Sequence, residues 1–328
     1  LLHIAKILYD TQSLNDMGII FPSPKIDINK IRSWKNTLIQ SLNKGISQLA
    51  KVRNVDIIHG NATFASDSQL IIEMENESKT ITFENCIIAT GSKPMTIQNI
   101  PSNHSKIIDS TKALELNEIP KKLLIIGGGY IGLEMGSVYN AMGSSITIVE
   151  SMEGLLPGAD RDLINPLEKK LKKDFEKIHL STKVINIESK NDNLIVHFEN
   201  ENNENFTEIF DTILISVGRK PNTSRIGIEN TGILLDEKGF IMVDEKLRTN
   251  IPHIYAIGDI VGNPMLAHKA THEGKIAAEV ICNLPSAFQP ATIPAVIFTD
   301  PEIAWAGPTE NELINAGIKY EKGEFPWS

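Results

Sequence analysis

The chain has 328 residues, 41% hydrophobic and 22% charged, which is too long for one ordinary domain and suits two or three buried cores. Its net charge of −9 argues against the nucleic-acid surface that a clustered basic face would provide. Two cysteines, Cys86 and Cys282, exclude a disulfide framework and point to a reducing compartment, and no apolar run reaches the roughly 20 residues of a membrane span.

No secretory signal is expected ahead of Leu1, and the abrupt ends, Leu1-Leu2-His3 and Trp327-Ser328, suggest a segment cut on both sides. Residues 1–50 carry two helical patterns interrupted by Pro22 and Pro24. Short strands are expected at Val55–His59, Gln69–Met74, Lys79–Phe83 and Cys86–Ala89. The last runs into Thr90-Gly91-Ser92, as a buried strand entering a tight turn does. Lys122–Ile126 then begins a unit of strand, glycine turn, helix and strand, the second strand being Ser145–Val149. In a helix near 160–178, Leu163, Leu167, Leu171 and Phe175 recur at i,i+4, so Lys169-Lys170-Leu171-Lys172-Lys173 reads as its solvated face. Further strands are expected near 182–188, 193–199, 211–217, Gly239–Val243 and Ile254–Ile257, then a helix over Ala267–Cys282 and a last element at Thr292–Phe298. Strands alternating with helices imply a parallel sheet and the α/β class. Cys86 in its apolar run and Cys282 on its helix both read as small buried residues.

The strongest motif is Ile126-Gly127-Gly128-Gly129-Tyr130-Ile131-Gly132, in which Gly127, Gly129 and Gly132 fill G-x-G-x-x-G between a strand and a helix. The first glycine permits the turn, the second lets backbone approach a pyrophosphate, and the third lets helix pack on strand. The anion would sit at the helix N-terminus, favoured by free N–H groups and the helix dipole. Glu150 ends the next strand, 23 residues after Gly127, near the spacing of a carboxylate that binds the adenine ribose hydroxyls. It would repel a 2′-phosphate, and no arginine follows before Arg161, so the expected nucleotide is NAD rather than NADP. The competing reading is a glycine-rich turn with a surface acid.

Ile87-Ile88-Ala89-Thr90-Gly91-Ser92, the 127–134 turn, Ile215-Ser216-Val217-Gly218-Arg219-Lys220-Pro221-Asn222 and Thr249–Asp259 occur in that order. The series resembles the flavin-dependent pyridine nucleotide–disulfide oxidoreductases, over the whole chain. Met265-Leu266-Ala267-His268-Lys269-Ala270 and Thr299-Asp300-Pro301-Glu302 look like the bacterial dihydrolipoamide dehydrogenase branch. The resemblance implies two Rossmann-like dinucleotide-binding domains, for FAD and NAD, and the start of an α+β dimerisation domain. Residues 1–95 would be the rear of the FAD domain, 96–235 the NAD domain, 236–290 a central segment returning to the flavin, and 291–328 the start of dimerisation.

It also implies roles. Asp259 is similar to the acid that bonds the flavin's ribityl chain, its alternative being a turn aspartate. The backbone of Met265, Leu266, Ala267 and His268 would face the flavin ring, with His268 a helix N-terminal residue rather than a base. Thr90 and Gly91 would lie against the flavin dinucleotide, and Ala62 would contact its adenosine part. Gly127, Gly128, Gly129, Tyr130, Ile131 and Gly132 would cradle NAD. Val184, Val217, Gly218 and Arg219 would line the rest of its path. Glu134 resembles the glutamate that pairs with a lysine beside the flavin, the lysine falling upstream of Leu1. Tyr130 departs from the aliphatic residue of that branch and is more like the tyrosine of glutathione reductases.

No C-x-x-x-x-C dithiol occurs; the resemblance places it before Leu1 and a catalytic histidine–glutamate pair after Ser328. The implied enzyme is a cytoplasmic bacterial homodimer that oxidises dihydrolipoamide on the lipoyl domain of a dihydrolipoyl acyltransferase and reduces NAD, with no resident metal, nucleic acid or membrane. The given chain alone is expected to be inactive. The alternatives are a glutathione or mercuric reductase-like enzyme, against which Glu150 argues, and a non-catalytic NAD-binding paralogue.

Overall fold

The computed structural model describes residues 1–97, 100 and 104–325, so five residues of the expected NAD part and the last three of the chain lie outside the description. The chain opens with helices α1 (Leu2–Ser13) and α2 (Ile28–Val52). Strands β1 (Asn61–Ser66), β2 (Gln69–Glu73), β3 (Ser78–Thr82), β4 (Cys86–Ile88) and β5 (Ser92–Pro94) follow. Next come β6 (Ile107–Asp109), α3 (Ser110–Glu115), β7 (Lys122–Ile126), α4 (Tyr130–Ala141), β8 (Ser145–Val149), α5 (Arg161–Asp174) and β9 (Lys177–His179). They lead to β10 (Lys183–Lys190), β11 (Asn193–Glu199), β12 (Asn205–Phe210), β13 (Thr212–Ile215), β14 (Arg219–Pro221) and β15 (Ile254–Ala256). The chain closes with α6 (Ala267–Ile281), β16 (Ala295–Ile297), β17 (Ile303–Trp305) and α7 (Glu310–Asn315).

Two compact units result, one from Leu1–Arg32, Thr96–Gly218 and the chain from Thr292 on, the other from Ser33–Met95 and Arg219–Ala291. They cut the chain differently from the four consecutive parts read in the sequence, which divide it by cofactor rather than by contact.

The first unit centres on five parallel strands in the order β6-β13-β7-β8-β9. Strands β7 and β13 are apolar on successive residues because both faces of a central parallel strand are covered. Leu123, Ile125, Ile146 and Ile148 point to a core shared with Leu133 and Val138 of α4 and Ile164, Leu167 and Leu171 of α5. Leu124, Ile126, Val149, Ile213 and Ile215 point to the other face, against Leu194, Val196, Phe198 and Phe210 of the antiparallel sheet β10-β11-β12. Helices, parallel sheet and antiparallel sheet thus form three layers. Chain order reverses at β7, with β8 and β9 on one side and β13 and β6 on the other. Such a switch point opens a crevice at the carboxyl ends of the strands.

On α5 the apolar stripe is Ile164, Leu167 and Leu171, while Leu163 is 39% exposed. Lys169, Lys172 and Lys173 face solvent, as the solvated-face reading expects.

The second unit holds the antiparallel meander β1-β2-β3, the parallel pair β4–β15 and the antiparallel pair β5–β14. Phe64, Ile88, Ile254, Ala256 and Ile260 share one core, and Ile276, Ala277 and Val280 of α6 pack with Leu247 and Tyr255 in another.

Three local expectations are corrected. Val55–His59 is an exposed loop rather than a strand, and the strand begins at Asn61. Gly239–Val243 makes only a single bridge, Leu235 to Ile241, after a turn in which Gly239 has φ +85°. Cys282 is exposed where α6 ends, while Cys86 is half-buried.

Candidate functional sites

In the first unit, Gly127 follows β7, its N–H donating to the Val149 carbonyl at 2.9 Å. Its φ is +108°, and a Cβ there would meet the Ser216 carbonyl oxygen at 2.6 Å, so conformation and packing both demand glycine. A Cβ on Gly132 would meet the Gly127 oxygen at 2.3 Å, the close crossing of α4 over β7. Gly129 is different. Its φ of −78° suits any residue, and a Cβ there would meet nothing within 4 Å. Neither backbone nor packing accounts for glycine at this position, and the space beside it is open to a ligand. Gly129 is also the N-cap of α4, with no side-chain cap, and the positive end of a helix favours an anion.

Glu150 directly follows β8 and is 8% exposed. One carboxylate oxygen accepts from Gly128 N at 2.7 Å, the other from Met152 N at 2.8 Å and Ser151 Oγ at 3.2 Å. The oxygen held by Gly128 takes one bond and can take a second, which suits a ribose hydroxyl. Arg161 donates to the carbonyls of Leu156 and Ala159 at 2.8 and 3.1 Å, so it is committed to backbone close to Glu150 in sequence. Ser216, to which the sequence reading assigned no role, clamps the turn by donating to the Ile126 and Gly127 carbonyls at 3.1 and 3.2 Å. Val217 and Gly218 follow it at the carboxyl end of β13. Val184 lies on β10 opposite Phe198, half-buried against the second core.

Tyr130, 41% exposed, and half-buried Ile131 open α4. One turn on, Glu134 accepts from Phe298 N at 3.0 Å. Burial pushes its carboxyl above the ordinary value, and the Phe298 hydrogen bond offsets this only in part. A cavity of about 480 Å³ beside β9 and β12, lined by Lys177, His179, Phe206 and Glu208 among others, includes none of the expected nucleotide-binding residues.

In the second unit, Asp259 lies in a single 3₁₀ turn, Gly258–Val261, after β15. It accepts from Ser92 Oγ at 2.5 Å, and Arg219 donates to Ser92 Oγ and to the Ser92 carbonyl at 2.7 and 2.9 Å. Arg219, expected on the NAD path, is therefore bonded into the cluster of Asp259. Asn222 ties the neighbouring turn, its amide donating to the Thr90 carbonyl at 3.0 Å and its N–H to the Gly91 carbonyl at 3.0 Å. Met265 and Leu266 are half-buried before α6, Ala267 and His268 are exposed in its first turn, and no side chain caps the helix. Ala62 is exposed on β1 opposite Ile72.

Sequence reasoning also assigned no role to Ser92, Asn222, Lys269 or Glu273. For the last two the signal is the i,i+4 pairing of opposite charges on one helix. Among the described residues no group of three or more His, Cys, Asp or Glu could hold a metal, and no helix is long and apolar enough to cross a membrane.

Residues 9–274 match the pyridine nucleotide-disulphide oxidoreductase family, and residues 293–328 match its dimerisation domain. The chain belongs to that family. A protein of Vibrio parahaemolyticus named dihydrolipoyl dehydrogenase is 46% identical over 328 residues, all of this chain and 69% of the relative. Those of Haemophilus influenzae and of Buchnera aphidicola from Schizaphis graminum, so named too, are 44% and 46% identical over 329 residues. Among solved structures, an HOCl-induced flavoprotein disulfide reductase from Escherichia coli superposes with a TM-score of 0.81 at 28% identity, over 97% of this chain and 69% of that one. The family's pairing of pyridine-nucleotide and dimerisation modules accounts for the order of elements: a three-layer nucleotide unit, then a strand pair, β16–β17, opening the last module.

Proposed function

We propose that the chain carries the nicotinamide-binding unit and part of the flavin-binding unit of a dihydrolipoyl dehydrogenase, which oxidises dihydrolipoamide and reduces NAD. The observation that carries the reading is the identity of 44–46% over the whole chain to relatives of that name. The open approach at Gly129 and the acceptor geometry of Glu150 fit it.

Each residue then has a physical task. Gly127, Gly129 and Gly132 bring backbone to the nucleotide diphosphate at the head of α4. Glu150 accepts from the adenine ribose hydroxyls and repels a 2′-phosphate, selecting NAD over NADP. Tyr130, Ile131, Val184, Val217 and Gly218 line the nucleotide's path. Asp259, fixed by Ser92 and Arg219, accepts from the ribityl hydroxyls of FAD. Thr90, Gly91 and Ala62 give backbone contacts to its dinucleotide, and the head of α6, Met265 to His268, turns its positive end toward charge on the flavin. Glu134, held by the Phe298 N–H, is the carboxylate that would pair with a lysine beside the flavin. When bound, FAD and NAD supply the electron and hydride chemistry itself. The dimerisation match supports a homodimer, and the lipoyl domain of an acyltransferase in a bacterial cytoplasm is its proposed partner.

Tyr130 favours a second reading, a different disulfide reductase of the family. The test is turnover of the full-length, FAD-loaded polypeptide with dihydrolipoamide plus NAD, set against glutathione disulfide plus NADPH. The first pair is expected to turn over and the second not; the reverse would overturn the proposal.

A further inference from the structure

Lys269 and Glu273 form an ion pair on α6 at 2.7 Å, with side chains only 5% and 2% exposed. Desolvating two charges is costly, and well-packed apolar residues often serve stability as well or better. Lys269 also lies in the first turn of α6, at the positive end of the helix, where a cation is disfavoured. Stability therefore gives little reason for this pair.

Its remaining bonds give another. Glu273 accepts from Gly258 N at 2.6 Å, and Lys269 donates to the Gly262 carbonyl at 3.3 Å. Gly258 and Gly262 bracket the turn that carries Asp259, and both have positive φ, +77° and +105°. A Cβ on Gly258 would also meet Ala270 Cβ at 3.3 Å, so the turn sits close on the helix. Two glycines joined by a short loop have many conformations to lose on ordering. The carboxylate grips one end of that loop and the ammonium the other.

We infer that Lys269 and Glu273 are positioning residues: their buried pair clamps both ends of the Gly258–Gly262 turn to α6 and presets the Asp259 carboxylate for the ribityl hydroxyls of the flavin. The inference rests on the reading of Asp259 given above. Ordering the loop before the ligand arrives removes an entropic cost from binding, so losing the clamp weakens flavin affinity through the loop.

The experiment compares Lys269→Met/Glu273→Leu, Glu273→Gln and Asp259→Ala. Amide exchange of the peptide around 258–262 is measured in the 328-residue chain. FAD affinity is measured in the full-length polypeptide, with NADH affinity as the internal control. In the double variant, exchange and the FAD dissociation constant are each expected to rise about tenfold or more, with NADH affinity within about twofold of wild type. Glu273→Gln retains an acceptor for Gly258 N–H and is expected to lie between wild type and the double variant, which keeps the test open should the double variant not fold. Wild-type exchange and FAD affinity in whichever of these variants folds would overturn the clamp. So would faster exchange with unchanged FAD affinity while Asp259→Ala is defective. Unchanged FAD affinity in Asp259→Ala would instead overturn the reading of Asp259 on which the clamp rests.

Discussion

Gly129 and Gly132 stand in one turn for different reasons, and substitution separates them. A methyl group on Gly129 meets open space, so Gly129→Ala is expected to fold with a loss of no more than about 1 kcal/mol at the N-cap while losing most NADH affinity. A methyl group on Gly132 meets backbone oxygen at 2.3 Å, so Gly132→Ala is expected to lose about 1–3 kcal/mol of stability as overpacking does. Thermal melting and NADH titration of both variants check the contrast. Glu134 contributes one pH dependence to this unit. Burial raises its carboxyl, so the folded state holds the proton more tightly than the unfolded chain, and ionising Glu134 opposes folding. The penalty is absent below the unfolded value, grows as pH rises toward the folded value, and is then constant. Glu134→Gln keeps an acceptor for Phe298 N–H and is expected to raise Tm near pH 8 without changing it near pH 4, as melting curves at both values will report.

Elements with apolar runs buried on both faces were legible in the sequence, because a run as short as Leu123-Leu124-Ile125-Ile126 closed by a glycine turn suits a buried strand. Their order, with a glycine turn after β7, made the three-layer unit legible too. Strand β12, which the sequence reading did not separate, was harder to see. Its inward positions are Phe206, Glu208 and Phe210, and Glu208 disguises the alternation by accepting from Lys177 and His179. Val55–His59 misled in the opposite sense, since its valine and isoleucines signal a strand, yet Val55 and Ile57 are more than half exposed. The Lys269–Glu273 clamp was hidden because its meaning lies in bonds to Gly258 and Gly262, which no local spacing reveals. The thiols show the same limit, as Cys282 closes α6 at the surface although the helical pattern had it buried. Burial pushes the Cys86 thiol up to about 11, so near pH 8 only about one part in a thousand is thiolate. Alkylation near that pH, followed by peptide mass analysis, is expected to modify Cys282 well before Cys86.

At the scale of the molecule, nucleotide binding and disulfide chemistry separate. Thiol–disulfide exchange and transfer to flavin need two neighbouring sulfurs, and the two cysteines here are 196 positions apart (282 − 86). Residues 1–328 with added FAD are therefore expected to show no dihydrolipoamide-dependent NADH formation, a rate assay that any turnover near that of an intact family member would contradict. The proposed nucleotide site, by contrast, draws on β7, α4, β8 and β13, which all lie within the first unit. The direct test of that assignment is titration of the 328-residue chain with NADH and NADPH, in wild type and in Glu150→Gln, which preserves the shape of the buried side chain. A charge-assisted bond from the ribose to Glu150 predicts NADH binding about ten- to a hundredfold tighter than NADPH, with the gap narrowed in the variant. Equal dissociation constants for the two nucleotides in the wild-type chain, or an unchanged gap in Glu150→Gln, would contradict it.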